Sequence, residues 1–195
     1  MSTTDRALVG LDIDEAALSF ARERLPNAEL IRADLLTWTP ADTLRHDVGL
    51  VIAGGDLLSL FTEATDLERL FAQAATLLRP DGAFGIDATL IDPDLLSEAV
   101  SDSAWGEDVR WKSKDLGEVR RESRLLPDPE GRADCAQLQI RHWHAGDVTP
   151  DQRDPFAIRA WQPEELERIA ERVGLHLDQR ASADRLRWLL RSTHV

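Results

Sequence analysis

Short apolar runs alternate with helix-period stripes from the start of the chain to about residue 90. Leu8, Val9 and Leu11 mark a buried strand over 7–11 that ends on Asp12. Asp14 then caps a helix that reaches Leu25, with Leu18, Ala21 and Leu25 on its inner face and Pro26-Asn27 as its stop. Residues 28–33 form a second strand, which also ends on an acid, Asp34. Thr39 to Asp42 reads as a short turn or helix. Val48 to Ala53 is almost wholly apolar, the pattern of a central parallel strand, and runs into Gly54-Gly55-Asp56. Thr65 and Glu68 have the spacing of a capping box. Behind them Leu67, Leu70, Phe71, Ala74, Leu77 and Leu78 make one continuous helical stripe. Arg79-Pro80-Asp81-Gly82 is turn chemistry, and residues 83–88 are the next strand. Strands alternating with helices predict a parallel sheet with crossover connections.

The pattern changes near Asp92. Residues 91–105 read as partly helical and surface-exposed. Val119, Arg121, Ser123 and Leu125 alternate with polar neighbours, Pro127 to Gly131 is a turn, and Ala136, Leu138, Ile140, His142 and His144 share a face. Period-two patterning on both sides of a turn predicts an antiparallel hairpin. Residues 156–161 add a strand. Pro163 opens a helix with Leu166, Ile169, Ala170 and Val173 inside and Gly174 as its stop. Residues 175–179 and 186–190 read as two closing strands. Without repeats or a linker, residues 1–195 read as one domain, with three parts at 7–90, 91–161 and 162–195.

Composition narrows the partners. The net charge is −13, which disfavours nucleic acid and anionic membrane surfaces, both of which attract basic proteins. No apolar run approaches membrane-spanning length. Residues 1–6 lack the apolar centre of a signal peptide. Cys135 is the only cysteine, so no internal disulfide and no cysteine metal cluster can form. A cytoplasmic protein follows.

Val9-Gly10-Leu11-Asp12, Ala33-Asp34-Leu35, Val51-Ile52-Ala53-Gly54 and Leu77 to Phe84, in this order, resemble the class I S-adenosylmethionine-dependent methyltransferases, especially small bacterial enzymes acting on small molecules. Residues 159–166, with Gly174-Leu175, resemble that family's late helix and following strand. The resemblance implies an α/β, Rossmann-like, mostly parallel sheet with flanking helices and an inserted antiparallel hairpin. It implies S-adenosylmethionine as cofactor and methyl transfer to a small-molecule acceptor. Asp12 matches the acid that binds the cofactor ribose, Ile13 the residue packed on adenine, and Asp34 with the Leu35 backbone the adenine amino site. Ala53 and Gly54 match the backbone wall behind the methionine part.

The family's glycine-rich loop precedes the acid matched by Asp12, and residues 1–6 are too few to hold it with its strand. The first strand of the family fold is therefore missing from the pattern. A fragment or late start, a non-catalytic relative, or a strand supplied by another chain would each explain this. Unpaired strand edges would follow, predicting low stability and self-association.

Catalytic residues are not assigned, because in-line methyl transfer rests mainly on positioning. Asp56, near Ser59, suits orienting an amine or capping a helix. His142 and His144 suit a base or two metal ligands, or are simply hairpin-end histidines; without a third ligand no metal is predicted. His46 suits a turn cap, and His176 and His194 have no context. Trp105, Trp111, Trp143 and Trp161 suit a substrate wall or a hairpin core. Cys135 reads as a small buried residue. Two other readings stand beside methyl transfer. One is a non-catalytic binding or scaffold module. The other, weaker for want of a glycine fingerprint, is a nicotinamide-dependent oxidoreductase.

Overall fold

A computed structural model of the chain describes residues 7–89, 93–106, 108–113, 117–181 and 185–192. The order opens with β1 (Val9–Asp12), α1 (Glu15–Arg24), β2 (Glu29–Arg32), β3 (Val48–Ala53), α2 (Ala64–Leu77) and β4 (Leu78–Thr89). Next come α3 (Pro93–Asp102), β5 (Val109–Ser113), β6 (Gly117–Pro127), β7 (Cys135–Trp143), β8 (Asp151–Gln152) and β9 (Phe156–Arg159). α4 (Pro163–Arg172), β10 (Leu175–Ala181) and β11 (Arg185–Ser192) close it.

The strands fall into three sheets. β1 and β2 form a parallel pair of their own. A second sheet runs β10-β11-β4-β3, parallel between β3 and β4 and antiparallel elsewhere. The third is antiparallel, β5-β6-β7-β8, with β9 also on β7. This mixed arrangement agrees with the α/β fold and inserted hairpin expected from the pattern.

The main core lies where α2 and α4 cover one face of the second sheet. Leu67, Leu70, Phe71 and Ala74 from α2 meet Phe84 and Ile86 from β4, Leu166 and Ile169 from α4, and Leu175 and Leu190. The α2 stripe therefore does what its spacing demands. Phe71 and Phe84 meet edge to face, with ring centroids 5.3 Å apart. A smaller core joins Leu96 of α3 to Ala136, Ile158 and Ala160.

Several local expectations are corrected. Among the described residues β3 is an edge strand, not a central one; Val51 and Ala53 face the core while Leu50 and Ile52 are exposed. Leu25 is exposed, because α1 ends before it and buries only Leu18. The Thr65–Glu68 capping box does not form: Glu63 occupies the cap position without a side-chain bond, which puts Thr65 inside the first turn. The Arg79–Gly82 turn is absorbed into β4 as an irregularity. Pairing jumps from Val48↔Leu78 to Leu50↔Ala83, so β4 carries three extra residues across that step. Gly82 is required there, since a Cβ would lie 2.9 Å from the carbonyl oxygens of both Arg79 and Val48. α3 is not wholly surface-exposed, because Leu96 is fully buried. His194 lies outside the described residues.

Cys135 is buried on β7. Burial, reinforced by the Asp134 carboxylate, pushes its thiol up to about 11. The native protein is expected to leave this thiol unreactive toward maleimide at pH 8, with labelling appearing only on unfolding. The linkage sign is negative. The unfolded thiol releases its proton from about pH 8.5 while the folded one holds it, so stability falls as pH rises from there toward 11. Labelling at the rate of a free thiol would contradict this placement.

Candidate cofactor site

The chain builds its candidate site at strand ends. Asp12 terminates β1, and its main-chain carbonyl accepts from Ala33 N–H at 3.0 Å, extending the β1–β2 ladder by one rung. That rung puts Asp12 beside the Ala33-Asp34 step, so the two acids occupy neighbouring tips. Asp14 is the N-cap of α1, its carboxylate accepting from Ala16 N–H at 2.8 Å. Asp14 N–H in turn donates to Asp12 Oδ1 at 2.9 Å. That bond occupies one oxygen of an exposed carboxylate and fixes its orientation, and an ionised carboxylate has acceptor sites beyond a single bond.

Ile13 follows with its side chain 64% exposed, an apolar group standing in water at the same tip. Its carbonyl accepts from Arg32 Nε at 3.3 Å. Asp34 Oδ1 accepts from Leu36 N–H at 2.8 Å, and Asp34 O from Trp38 N–H at 2.8 Å, a tight turn that anchors the exposed acid. Leu35 is half-buried against the main core. Thus Asp12, Ile13, Asp34 and Leu35 come together through the β1–β2 pair.

Ala53 and Gly54 lie at the tip of β3, Ala53 buried opposite Ile86 and Gly54 exposed. Gly55 and Asp56 both have positive φ, at 68° and 62°. This left-handed pair lifts the chain off the strand end, and Asp56 N–H donates back to Asp87 O at 3.3 Å. Asp56 stands at the cap position of a short 3₁₀ turn over Leu57–Leu60, but its side chain makes no cap bond there. Its carbonyl instead accepts from Ser59 N–H and Ser59 Oγ. The capping role expected for its side chain is therefore corrected. Among the described residues no strand pairs with both β1 and β3, so the two halves of the candidate site stand on separate sheets.

The tryptophans do not form one cluster. Trp105 and Trp143 stack with arginines on one face of the hairpin: Arg141 lies 3.9 Å over Trp105 and Arg120 lies 4.4 Å over Trp143. Both arginines donate to buried Glu122. Trp111 is exposed, and Trp161 belongs to the main core. Neither a shared substrate wall nor a hairpin core describes them. His142 sits opposite Asp151 on β8, and burial, helped by Arg121 and Arg153, lowers its pKa and favours the neutral ring. His144 lies beyond β7 in an exposed turn. Among the described residues no group of three or more His, Cys, Asp or Glu could hold a metal. His46 has positive φ, and its N–H donates to Thr76 O. His176 is on β10, exposed.

Two grooves mark the surface. One, of about 310 Å³, runs between Trp38 and α2; the other, of about 390 Å³, lies at the hairpin end between Arg110 and Asp147. Arg159 has a role in the structure that the sequence pattern does not announce. Arg159 reaches Asp134, Glu165 and the Thr62 carbonyl. Its only sequence signal is its place two residues before Trp161, the spacing that puts two strand residues on one face.

Residues 2–82 match the family described as a methyltransferase domain. A trans-aconitate 2-methyltransferase of Acidovorax sp. (strain JS42) is 34% identical over 106 residues, 52% of this chain and 38% of that protein. The chain thus spans about two-fifths of that curated relative's length. Among solved structures, DesVI of Streptomyces venezuelae superposes with a TM-score of 0.73 at 18% identity, covering 94% of this chain and 73% of that one. An S-adenosylmethionine-dependent methyltransferase from Clostridium acetobutylicum ATCC 824 gives 0.72 at 13% identity, covering 96% and 75%.

Proposed function

We propose methyl transfer from S-adenosylmethionine to a small-molecule acceptor, for a chain that shares the fold of S-adenosylmethionine-dependent methyltransferases and whose residues 2–82 match a methyltransferase-domain family. The observation that carries this reading is the pair of exposed acids, Asp12 and Asp34, on adjacent tips of a parallel β-pair. Ligands of open α/β sheets lie outside the carboxyl ends of the strands, where such acids accept from ribose hydroxyls.

Asp12, held in one orientation by Asp14 N–H, binds the ribose. Ile13 covers the adenine, which gives its exposed side chain an apolar partner. Asp34 and the Leu35 backbone receive the adenine amino group. The backbone of Ala53 and Gly54 lies along the methionine part. When bound, the cofactor supplies an electrophilic methyl on a sulfonium, and the protein's task is to align it with the acceptor. Residues 7–90 form the cofactor half, 91–161 the acceptor-side insert, and 162–195 the closing helix and strands. The relative named for trans-aconitate supports a small acceptor. No described helix is long and apolar enough to cross a membrane. The net charge of −13 supports work without nucleic acid or anionic-membrane partners, and the proposed setting is a bacterial cytoplasm. Among the described residues one edge of β1 and one of β3 have no partner strand, which supports self-association.

Calorimetric titration with S-adenosylhomocysteine tests the reading. The wild-type chain is expected to bind in the micromolar range. Asp12→Ala is expected to bind roughly 10- to 150-fold more weakly, the effect of losing a hydrogen bond to a charged group. A folded chain that shows no heat of binding would sink the proposal and favour a non-catalytic scaffold, to which the open sheet edges also point.

A further inference from the structure

The segment between the β3 tip and α2 is tied down from three directions. Trp161 Nε1 donates to two of its carbonyls, Leu58 O and Phe61 O, each at 3.0 Å. Arg159 Nη1 donates to Thr62 O at 3.3 Å. Arg132 Nη1 donates to Glu63 Oε1 at 2.6 Å. The first two ties come from one unit, because the Arg159 guanidinium lies 3.8 Å over the Trp161 ring. That guanidinium is further fixed by Asp134 Oδ2 at 2.7 Å and Glu165 Oε1 at 3.0 Å.

The chemistry selects these two residues. Only a planar fork with several donors can meet Asp134, Glu165 and a carbonyl while stacking on a ring; a lysine ammonium cannot. The indole brings an N–H donor into the core, where Trp161 is 5% exposed and a phenyl ring would offer none. The tied segment begins at Gly54-Gly55-Asp56, where the left-handed pair leaves β3. A backbone carrying positive φ at a non-glycine residue persists only where its surroundings hold it.

We propose that Arg159 and Trp161 are positioning residues, a stacked clamp from the insert that holds segment 54–62 in the one conformation that aligns methyl donor and acceptor. This rests on the methyltransferase reading above, in which Ala53 and Gly54 line the donor's methionine part. Misalignment of about 1 Å can cost on the order of 100-fold in such a reaction.

The test uses Trp161→Phe and Arg159→Lys, with Leu166→Ala as a core variant that destabilises while keeping both clamp side chains. Amide hydrogen exchange is followed at 54–62 and in α4. In both clamp variants, exchange at 54–62 is expected to rise roughly tenfold while α4 keeps its protection. Leu166→Ala is expected to loosen α4 at least as much as 54–62. Titration with S-adenosylhomocysteine supplies the second readout, with affinity weakened at least fivefold in the clamp variants only. Unchanged exchange at 54–62 in both clamp variants overturns the proposal. So does faster exchange there with undiminished affinity in the clamp variants. A wild-type chain that binds nothing fails the methyltransferase reading and with it the clamp's role in alignment, while the exchange result separately decides whether the clamp holds the segment.

Discussion

Phe71→Ala is expected to cost about 3–5 kcal/mol, the usual price of deleting a buried phenyl ring. Phe71 is fully buried on α2 and meets Phe84 edge to face. Phe84 lies mid-sheet, with Val51 of β3 on one side and Leu190 of β11 on the other. The ring therefore ties α2 to three strands at once. Its loss leaves a cavity that α4, packed by Leu166 and Ile169, cannot close without breaking its own contacts. Against a total stability of about 5–15 kcal/mol, that is a large fraction. The melting temperature is expected to fall by roughly 6–20 °C, at 2–4 °C per kcal/mol for a chain of this size. Phe71→Leu is expected to cost less than half as much. Circular dichroism melts of the three proteins check this, and a drop of only a degree or two for the alanine variant would show that Phe71 is not central to the core.

The wild-type chain is expected to self-associate through β3, and Leu50→Lys combined with Ile52→Lys is expected to abolish that association. β3 pairs only with β4 among the described residues, so one row of its backbone donors and acceptors has no partner strand. Leu50 and Ile52 lie on the face turned away from α2 and α4, 54% and 71% exposed. An apolar, unpaired edge is a template for strand addition by another chain. Two lysines on that face bring charge to the edge, the device natural edge strands use, without disturbing Val51 or Ala53 on the core side. Sedimentation velocity is expected to show association of the wild type that vanishes in the double variant, with little change in melting temperature. Monomeric wild type over the accessible concentration range would contradict the expectation.

Much of this architecture was legible from the chain. The α2 stripe, the Asp14 cap and the 119–143 hairpin each depend on local spacing, and each forms. The acids at Asp12 and Asp34 were legible because a strand tip is set by where an apolar run stops. Other features depended on what packs across the chain. Leu25 carries the helical period, yet α1 meets only a two-stranded sheet, too small to cover it. Thr65 and Glu68 have the spacing of a capping box, but the helix starts two residues too early for it. Trp161 is one residue among six tryptophans. That its ring nitrogen would bind carbonyls a hundred residues away, under Arg159, is a tertiary fact with no local signature.

The joint between α2 and β4 has a practical consequence. α2 ends at Leu77 and β4 begins at Leu78, both residues buried, with no loop between them. Helix and strand are a single lever, and lengthening the polypeptide at that junction would shear Phe71 away from Phe84. The turn at 144–149 is the opposite case: it is exposed throughout, and Val148 stands 94% in solvent. A fluorescent reporter or affinity tag spliced there would be carried without strain, which makes that turn the natural place to engineer this chain.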